Sequence, residues 1–404
     1  MNQNWKKNTA IFMTSQAISI LGSSLVQFAI TWHITLTTQS GLYATLIIVC
    51  GFLPTFFLSP FAGVWADRYD RKWLIILADG GIAVCTLILA LLFLGGYDAI
   101  WLLFAASGIR ALGSAVQNPC VNAMLPDIVP EEHLTRVNSI NGSLQSLIML
   151  ISPMISGALM GFTSLEKIFF IDVTTAAAAI AVMVLFFRLP KKEKTTEQVA
   201  NADYLRELKE GFAYISKHPY LRNFFIFCAC FYILATPVAF LTPLQVTRVF
   251  GNEVWRLTAI ELGFSVGMLI GGLIMTAWGG LKNRVHTMVL SGAFMAATTI
   301  GMGLPGYFWL YVGLMGLCGM VMPLFNTPSI VMLQEKVDSD YMGRIFGIMT
   351  MLSSSLMPLG MLIFGPVADI IPIEWLLLVT GALMLIMSFF LLFNKPLLKA
   401  GSRD

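Results

Sequence analysis

Twelve stretches of this chain are apolar over lengths that no soluble fold requires, and they limit what it can become. They run roughly through 11–36, 42–66, 73–94, 99–122, 139–162, 167–187, 222–247, 257–279, 286–304, 307–332, 343–367 and 373–393. A helix needs about 20 mostly apolar residues to cross the roughly 30 Å of bilayer hydrocarbon. The run at 42–66 carries no charge, and the run at 73–94 carries only Asp79. No long run alternates polar and apolar residues as the strands of a membrane barrel do. Charged residues make up 12% of the 404 positions, where a soluble domain has about a quarter. The pattern predicts an all-α polytopic membrane protein with twelve transmembrane helices. The first run continues well past the length of a signal-peptide core, so it is expected to stay as a span.

Lysine and arginine predict the orientation, because cytoplasmic loops are enriched in them. With the N-terminus inside, the inner segments hold 21 of the 25 basic residues. Both termini are therefore expected to be cytoplasmic. The long hydrophilic insert follows the sixth run. It divides the chain into an N-terminal six-helix bundle (1–187), a cytoplasmic linker (188–221) and a C-terminal six-helix bundle (222–404). Lys191 to Glu197 read as a flexible charged tether. Leu205, Leu208, Phe212 and Ile215 then recur at helical spacing among Arg206, Lys209 and Glu210, which predicts an amphipathic helix on the inner face.

The two halves resemble each other. A gapless shift of 208 residues places Gly63 on Gly271, Asn118 on Asn326, Met124-Leu125 on Met332-Leu333, Val129 on Val337 and Arg136 on Arg344. Matched Asn and Arg pairs at helix ends are harder to obtain by chance than matched apolar residues. They predict two pseudo-symmetric bundles related by an axis along the membrane normal.

Several chemistries are excluded. The six cysteines all sit in apolar runs and read as small buried hydrophobes. Cys228 and Cys230 point in different directions on a helix, and no zinc or disulfide pattern is present. Gly301 to Gly306 fit the dinucleotide fingerprint by letter, but no strand precedes them and Pro305 stands where a helix should open. There is no nucleotide-binding P-loop. No metal, no cofactor, no nucleic-acid partner and no enzymatic activity are expected.

The charged and polar residues inside this apolar frame carry the functional reading. Between Gly63 and Lys72 five charges fall within ten residues, so this stretch reads as a short water-facing turn between two spans. Gly63 is expected to allow close helix approach, and Asp67 to accept from a neighbouring helix N-terminus. Arg68, Arg71 and Lys72 satisfy the positive-inside bias and can reach lipid phosphates. Arg110 lies halfway through the fourth run, where a charge costs a few kcal/mol unless it faces protein or water. Asp79, Asp172 and Glu261 are the membrane-embedded carboxylates. Burial favours the neutral form of such a group and a nearby arginine the charged form, so each is a candidate proton carrier. Gln16, Ser19, Ser23, Gln27 and Thr31 form a polar stripe on the first helix, which should face a cavity or another helix. With Gln117, Tyr232 and Asn326, the stripe residues Gln16, Ser23 and Gln27 are expected to line a substrate cleft. Thr236, Thr242 and Gln245 add uncharged polar groups to the seventh helix. Phe and Met are abundant, and such a surface suits bulky amphiphiles.

The spacing Gly63-x-x-x-Asp67-Arg68-x-x-Arg71-Lys72 resembles the loop between the second and third helices of the major facilitator superfamily of transporters. Gly108 to Gly113, around Arg110, resembles the superfamily's helix-4 motif in proton-coupled exporters. Ser152 to Gly157 resembles a degraded antiporter motif, with Ser152 where glycine is usual. Ala78-Asp79, Met124 to Thr135, Leu333 to Val337, Tyr341 to Phe346 and Met357 to Gly360 extend the likeness along nearly the whole chain, towards the bacterial macrolide-efflux branch. The resemblance implies that the 63–72 loop latches one state of an alternating-access cycle. Met275 stands where the second half would repeat Asp67, so the latch should be one-sided. It further implies that Arg110 modulates a carboxylate or binds substrate oxygens. The implied activity is proton-driven export of macrolide-like amphipathic drugs from the cytoplasm or inner leaflet. The implied partners are the drug, protons and membrane lipid, for a monomer in a bacterial inner membrane. Export of an endogenous metabolite such as a siderophore, or lipid flipping, are the alternatives that share these loops.

Overall fold

Each apolar run becomes a helix, because a backbone inside a bilayer must satisfy its hydrogen bonds within its own segment. The computed structural model describes residues 5–187, 204–304 and 306–402. The helices in the first half are α1 (Trp5–Thr38), α2 (Gly41–Arg68), α3 (Arg71–Leu94), α4 (Ile100–Ile128), α5 (Glu131–Phe162) and α6 (Leu165–Leu185). There follow α7 (Tyr204–Lys217), α8 (Pro219–Phe240), α9 (Thr242–Val249), α10 (Val254–Trp278), α11 (Arg284–Met302) and α12 (Phe308–Lys336). The chain ends with α13 (Met342–Val367), α14 (Ile373–Leu391) and α15 (Lys395–Ala400). Among the described residues, twelve spans are long and apolar enough to cross a membrane, with α8 and α9 forming one of them together. The tether Lys191 to Glu197 lies outside the described residues.

The chain forms two compact units: Met1–Thr38 with Leu46–Thr195, and Gln39–Thr45 with Thr196–Asp404. The first turn of α2 thus belongs with the second unit. The shift of 208 seen in the sequence holds in the helices. Applied to α4 it gives the bounds of α12, and the capping residues Val129 and Val337 donate to Leu125 and Leu333 in the same way.

In the first unit, Phe12, Ile75, Met124, Leu125, Met183 and Phe187 pack into one core at the end where α1 begins. The 63–72 stretch is shorter as a turn than its charge density suggests. α2 runs on to Arg68 and α3 begins at Arg71, where the side chain of Asp70 accepts from the backbone N–H of Lys72 at 2.9 Å. Arg71 donates to the carbonyls of Ala66 and Ala123, both at 2.8 Å, and pairs with Asp127. Lys72 Nζ donates to the Phe187 carbonyl at 2.7 Å, and Arg68 is exposed. The side chain of Asp67 lies outside the described residues. Gly63 does not serve close packing: a methyl group added there would meet nothing within 4 Å.

The second unit does use its matched glycine. A Cβ on Gly271 would lie 1.9 Å from the Met320 carbonyl oxygen, and one on Gly267 1.9 Å from that of Gly316. The spacing of four along α10 therefore lets its backbone touch that of α12. The amphipathic helix α7 is docked in this unit against α13. Tyr214 stacks on Tyr341 with 4.3 Å between centroids and donates to Asp338 at 2.9 Å, and Glu210 pairs with Arg344 at 3.3 Å. Its buried face is set by Gly211, Tyr214 and Ile215. Phe212, expected on that face, is 44% exposed.

Candidate functional site

The polar stripe of α1 turns inward against α3, α4 and α6. Asp172 on α6 pairs with Arg110 on α4, and Arg110 also donates to Thr86 on α3. Thr86 donates to the same Asp172 oxygen at 3.1 Å, and Ser23 donates to the other at 3.2 Å. The second guanidinium nitrogen of Arg110 donates to the Ser23 carbonyl at 3.1 Å. Both charges are buried, as a pair inside a span must be.

A second cluster lies on the same helices. Asp79 accepts from Ser19 at 2.8 Å and from Gln117 at 2.7 Å through one oxygen. Gln117 also donates to Gln16 at 3.3 Å. Among the described residues no cation pairs Asp79, which meets only neutral donors. Among the described residues, the amide nitrogen of Gln16 and the hydroxyl of Ser107 are buried without a partner.

These groups back a cavity of about 460 Å³ within the first unit. Arg110, Gln117, Ser23, Gln27, Ser107 and Thr55 give it a polar side, and Ile20, Ile47, Phe52 and Ile82 an apolar one. Arg110 is the charged group among its described lining residues, and Asp172 neutralises it. The surface is thus polar, uncharged in sum and half aromatic or aliphatic, which suits an amphiphile.

Of the residues singled out in the sequence, Arg110, Asp172, Asp79, Ser23, Gln117 and Gln16 come together here, and Gln27 lines the cavity. Gln16 stands behind Gln117 rather than on the cavity wall. Glu261 on α10, Tyr232 on α8 and Asn326 on α12 belong to the second unit; Tyr232 is half-buried and Asn326 exposed. Glu261 makes no hydrogen bond or ion pair among the described residues. Gln245, expected in the cleft, is fully buried instead. It donates to the Met302 carbonyl and accepts from Tyr311, both at 2.9 Å. Two residues were missed. Thr86 is a hydroxyl two helical turns beyond Asp79 and hence on its face. Asp127 ends the fourth span opposite Arg71.

The Major Facilitator Superfamily model matches residues 12–361 of the chain. Macrolide efflux protein A of Streptococcus pyogenes is 29% identical over 385 residues, 95% of this chain and 94% of that protein. The Enterococcus faecalis protein of the same name is 30% identical over 314 residues, 77% of this chain and 96% of that protein. The Staphyloferrin A transporter of Staphylococcus aureus is 25% identical over 90% of each chain. A bacterial homolog of the human lysosomal transporter Spinster shares the fold, with a TM-score of 0.72 over the whole of both chains at 12% identity. With twelve spans in two repeated units, and matched by the family model over most of its length, this multi-pass membrane protein belongs to the major facilitator superfamily of transporters.

Proposed function

We propose that the chain is a proton-driven exporter of amphipathic, macrolide-like drugs that works by alternating access. The observation that carries this reading is the pairing of two carboxylates with different partners behind one cavity. Asp172 is locked by Arg110, whereas Asp79 meets only Ser19 and Gln117. Asp79 can therefore take up and release a proton without breaking an ion pair. Gln117 touches both Asp79 and the cavity, so a ligand that competes for its amide alters the hydrogen bonding of the proton site. Arg110 stays paired with Asp172 and keeps the cavity wall in place. Arg71 and Lys72, with their carbonyl and carboxylate partners, brace the turn; the family resemblance assigns that turn, with Gly63, Asp67 and Arg68, the part of a latch. Glu261 is a second, unpaired carboxylate available for protons in the other unit.

The charge balance favours a neutral or weakly basic amphiphile over a siderophore. An anionic ligand would need a free cation, and the arginine lining this cavity is already neutralised. The identity to Macrolide efflux protein A points the same way. The reading includes a monomer in a bacterial inner membrane with both termini cytoplasmic. Residues 188–221 would then join bundles 1–187 and 222–404 on the inner side.

The test is accumulation of a labelled macrolide in drug-sensitive cells expressing the chain, with and without a protonophore. Expression should lower accumulation, and the protonophore should restore it. Asp79→Asn should abolish drug-dependent proton movement in reconstituted vesicles while drug binding persists. Proton movement unchanged in Asp79→Asn would remove that carboxylate from the mechanism. Accumulation unchanged by expression would remove the drug.

A further inference from the structure

Away from the charged network, α1 and α5 leave between them a second cavity of about 590 Å³ in the first unit. Both helices run in the same direction from this end, so the cavity has a polarity gradient along its length. At the mouth stand Lys6, His133 and Arg136. Deeper in, the walls are Met13, Ala17 and Ile18 from α1 and Ile140 and Leu144 from α5, with Thr14 the one hydroxyl among them. From Lys6 to Ile18 the helix rises by about 18 Å, close to the roughly 15 Å of hydrocarbon in one leaflet.

The mouth is built from side chains already in contact. Trp5 stacks on His133 with centroids 4.8 Å apart, and Lys6 Nζ lies 5.8 Å from the Trp5 ring centre. Glu132 lies 3.6 Å from His133, with its own side chain 77% exposed. Among the described residues no carboxylate reaches Lys6 or Arg136. One turn below Lys6, Thr9 lines the cavity and is 4% exposed, and among the described residues its buried hydroxyl has no hydrogen-bond partner.

The second unit shows what this kind of groove takes. The shift of 208 carries His133, Arg136 and Ile140 to Tyr341, Arg344 and Ile348. There the aromatic stack recurs as Tyr214 on Tyr341. Arg344 is met by the Glu210 carboxylate of α7, and Gly211 of the same helix sits on Ile348. An anion over the arginine and an apolar cover over the isoleucine thus come from the chain itself. At Arg136 and Ile140 the described chain supplies neither.

We propose that the α1–α5 cavity binds one anionic phospholipid of the leaflet at the N-terminal end of α1, its phosphate held by Lys6 and Arg136 and an acyl chain lying along Met13, Ile18, Ile140 and Leu144. A basic drug is a poor occupant, because two unpaired cations guard the mouth. This inference rests on the fold and not on which substrate is carried.

The test measures retained lipid by native mass spectrometry of the full chain, purified from bilayers of equal phosphatidylglycerol and phosphatidylcholine. Wild type should retain one phosphatidylglycerol in preference to phosphatidylcholine. Each cation near a membrane surface contributes about a fivefold gain in affinity for anionic lipid, so Lys6→Gln with Arg136→Gln should weaken retention about 25-fold. Lys6→Arg with Arg136→Lys should keep it. Ala17→Phe, which fills the groove and leaves the charges, should lose it too. Millimolar glycerol phosphate should not displace the lipid from wild type, since the acyl contacts would be missing. Equal retention of the two lipids by wild type would overturn the proposal without any variant having to fold. Displacement by glycerol phosphate alone would overturn it in favour of a soluble anion, and displacement by a macrolide in favour of a drug site. None of these readouts depends on transport, so failure here leaves the exporter reading to its own test.

Discussion

Arg110 and Asp172 illustrate what a single residue in a span discloses about itself. A lone charge amid apolar residues is visible in sequence because the bilayer makes it costly. Its partner is not visible, because the two lie 62 positions apart and only the packing of α4 and α6 against α1 and α3 brings them together. Thr86 was legible in principle, since it shares the face of Asp79. Breaking such a pair leaves a bare buried charge, which costs about 3–5 kcal/mol, whereas replacing both members with apolar groups of like volume is often close to neutral. Asp172→Ala is therefore expected to lower the thermal unfolding temperature of the purified protein sharply. Arg110→Met with Asp172→Leu should recover most of that loss while leaving transport dead. A double variant no more stable than Asp172→Ala would show that the arginine is solvated without its partner.

At the scale of helices, the sequence pattern placed the spans well and the contacts between them poorly. Gly63 and Gly271 align, yet only Gly271 lies against another backbone, because close approach depends on the neighbouring helix as well as on the glycine. Gly267→Ala puts a methyl 1.9 Å from a backbone oxygen and must push α10 off α12. Such overpacking costs about 1–3 kcal/mol. Gly63→Ala, with open space around it, should change little, and parallel melting curves of the two variants check the contrast. The first turn of α2 was placed correctly without its cap being foreseen. Asp369, just beyond α13, accepts from the backbone N–H of Gly41 at 2.7 Å and of Leu42 at 2.9 Å, and from Ser40 at 2.7 Å. Arg248 on α9 pairs with it at 2.8 Å. Partial burial works to raise the pKa of Asp369, but these four donors outweigh it and hold the carboxyl below its ordinary value of 3.8. A carboxyl whose pKa is lower folded than unfolded stabilises the fold above the unfolded value, and that contribution fades as pH falls through the folded one. Wild type should thus lose this stabilisation only under acid conditions, below about pH 4. Asp369→Asn should be less stable than wild type at pH 7 and converge with it as the solution is acidified. A gap that stays constant with pH would mean the cap does not depend on charge.

Across the whole molecule, the duplication that fixes the helices does not extend to their interiors. The shift of 208 carries Ser19, Ser23 and Gln117 to Phe227, Phe231 and Phe325. Where the first unit has hydrogen bonds around Asp79 and Asp172, the second has an aromatic cluster. Phe231 stacks on Phe325 at 4.9 Å, and Phe227 lies 5.5 Å from Phe231. All three rings are buried. The repeat was legible because residues at matched helix ends, such as Val129 and Val337, recur at one fixed spacing. The divergence was not legible, because Phe in a span reads as lipid-facing until its neighbours are known. The two interiors should therefore respond to substitution in opposite ways. Phe325→Ala empties a packed ring site, and losses of this kind run at about 3–5 kcal/mol. It should lower the unfolding temperature, while Phe325→Leu should transport with unaltered proton coupling per folded molecule. Gln117→Leu should do the reverse, folding with near wild-type stability but exporting drug without moving protons or not at all. Reconstituted vesicles with a pH-sensitive dye, run beside thermal melts, measure both quantities on each variant. Coupling lost in Phe325→Leu, or retained in Gln117→Leu, would show that the proton path is not confined to the polar unit.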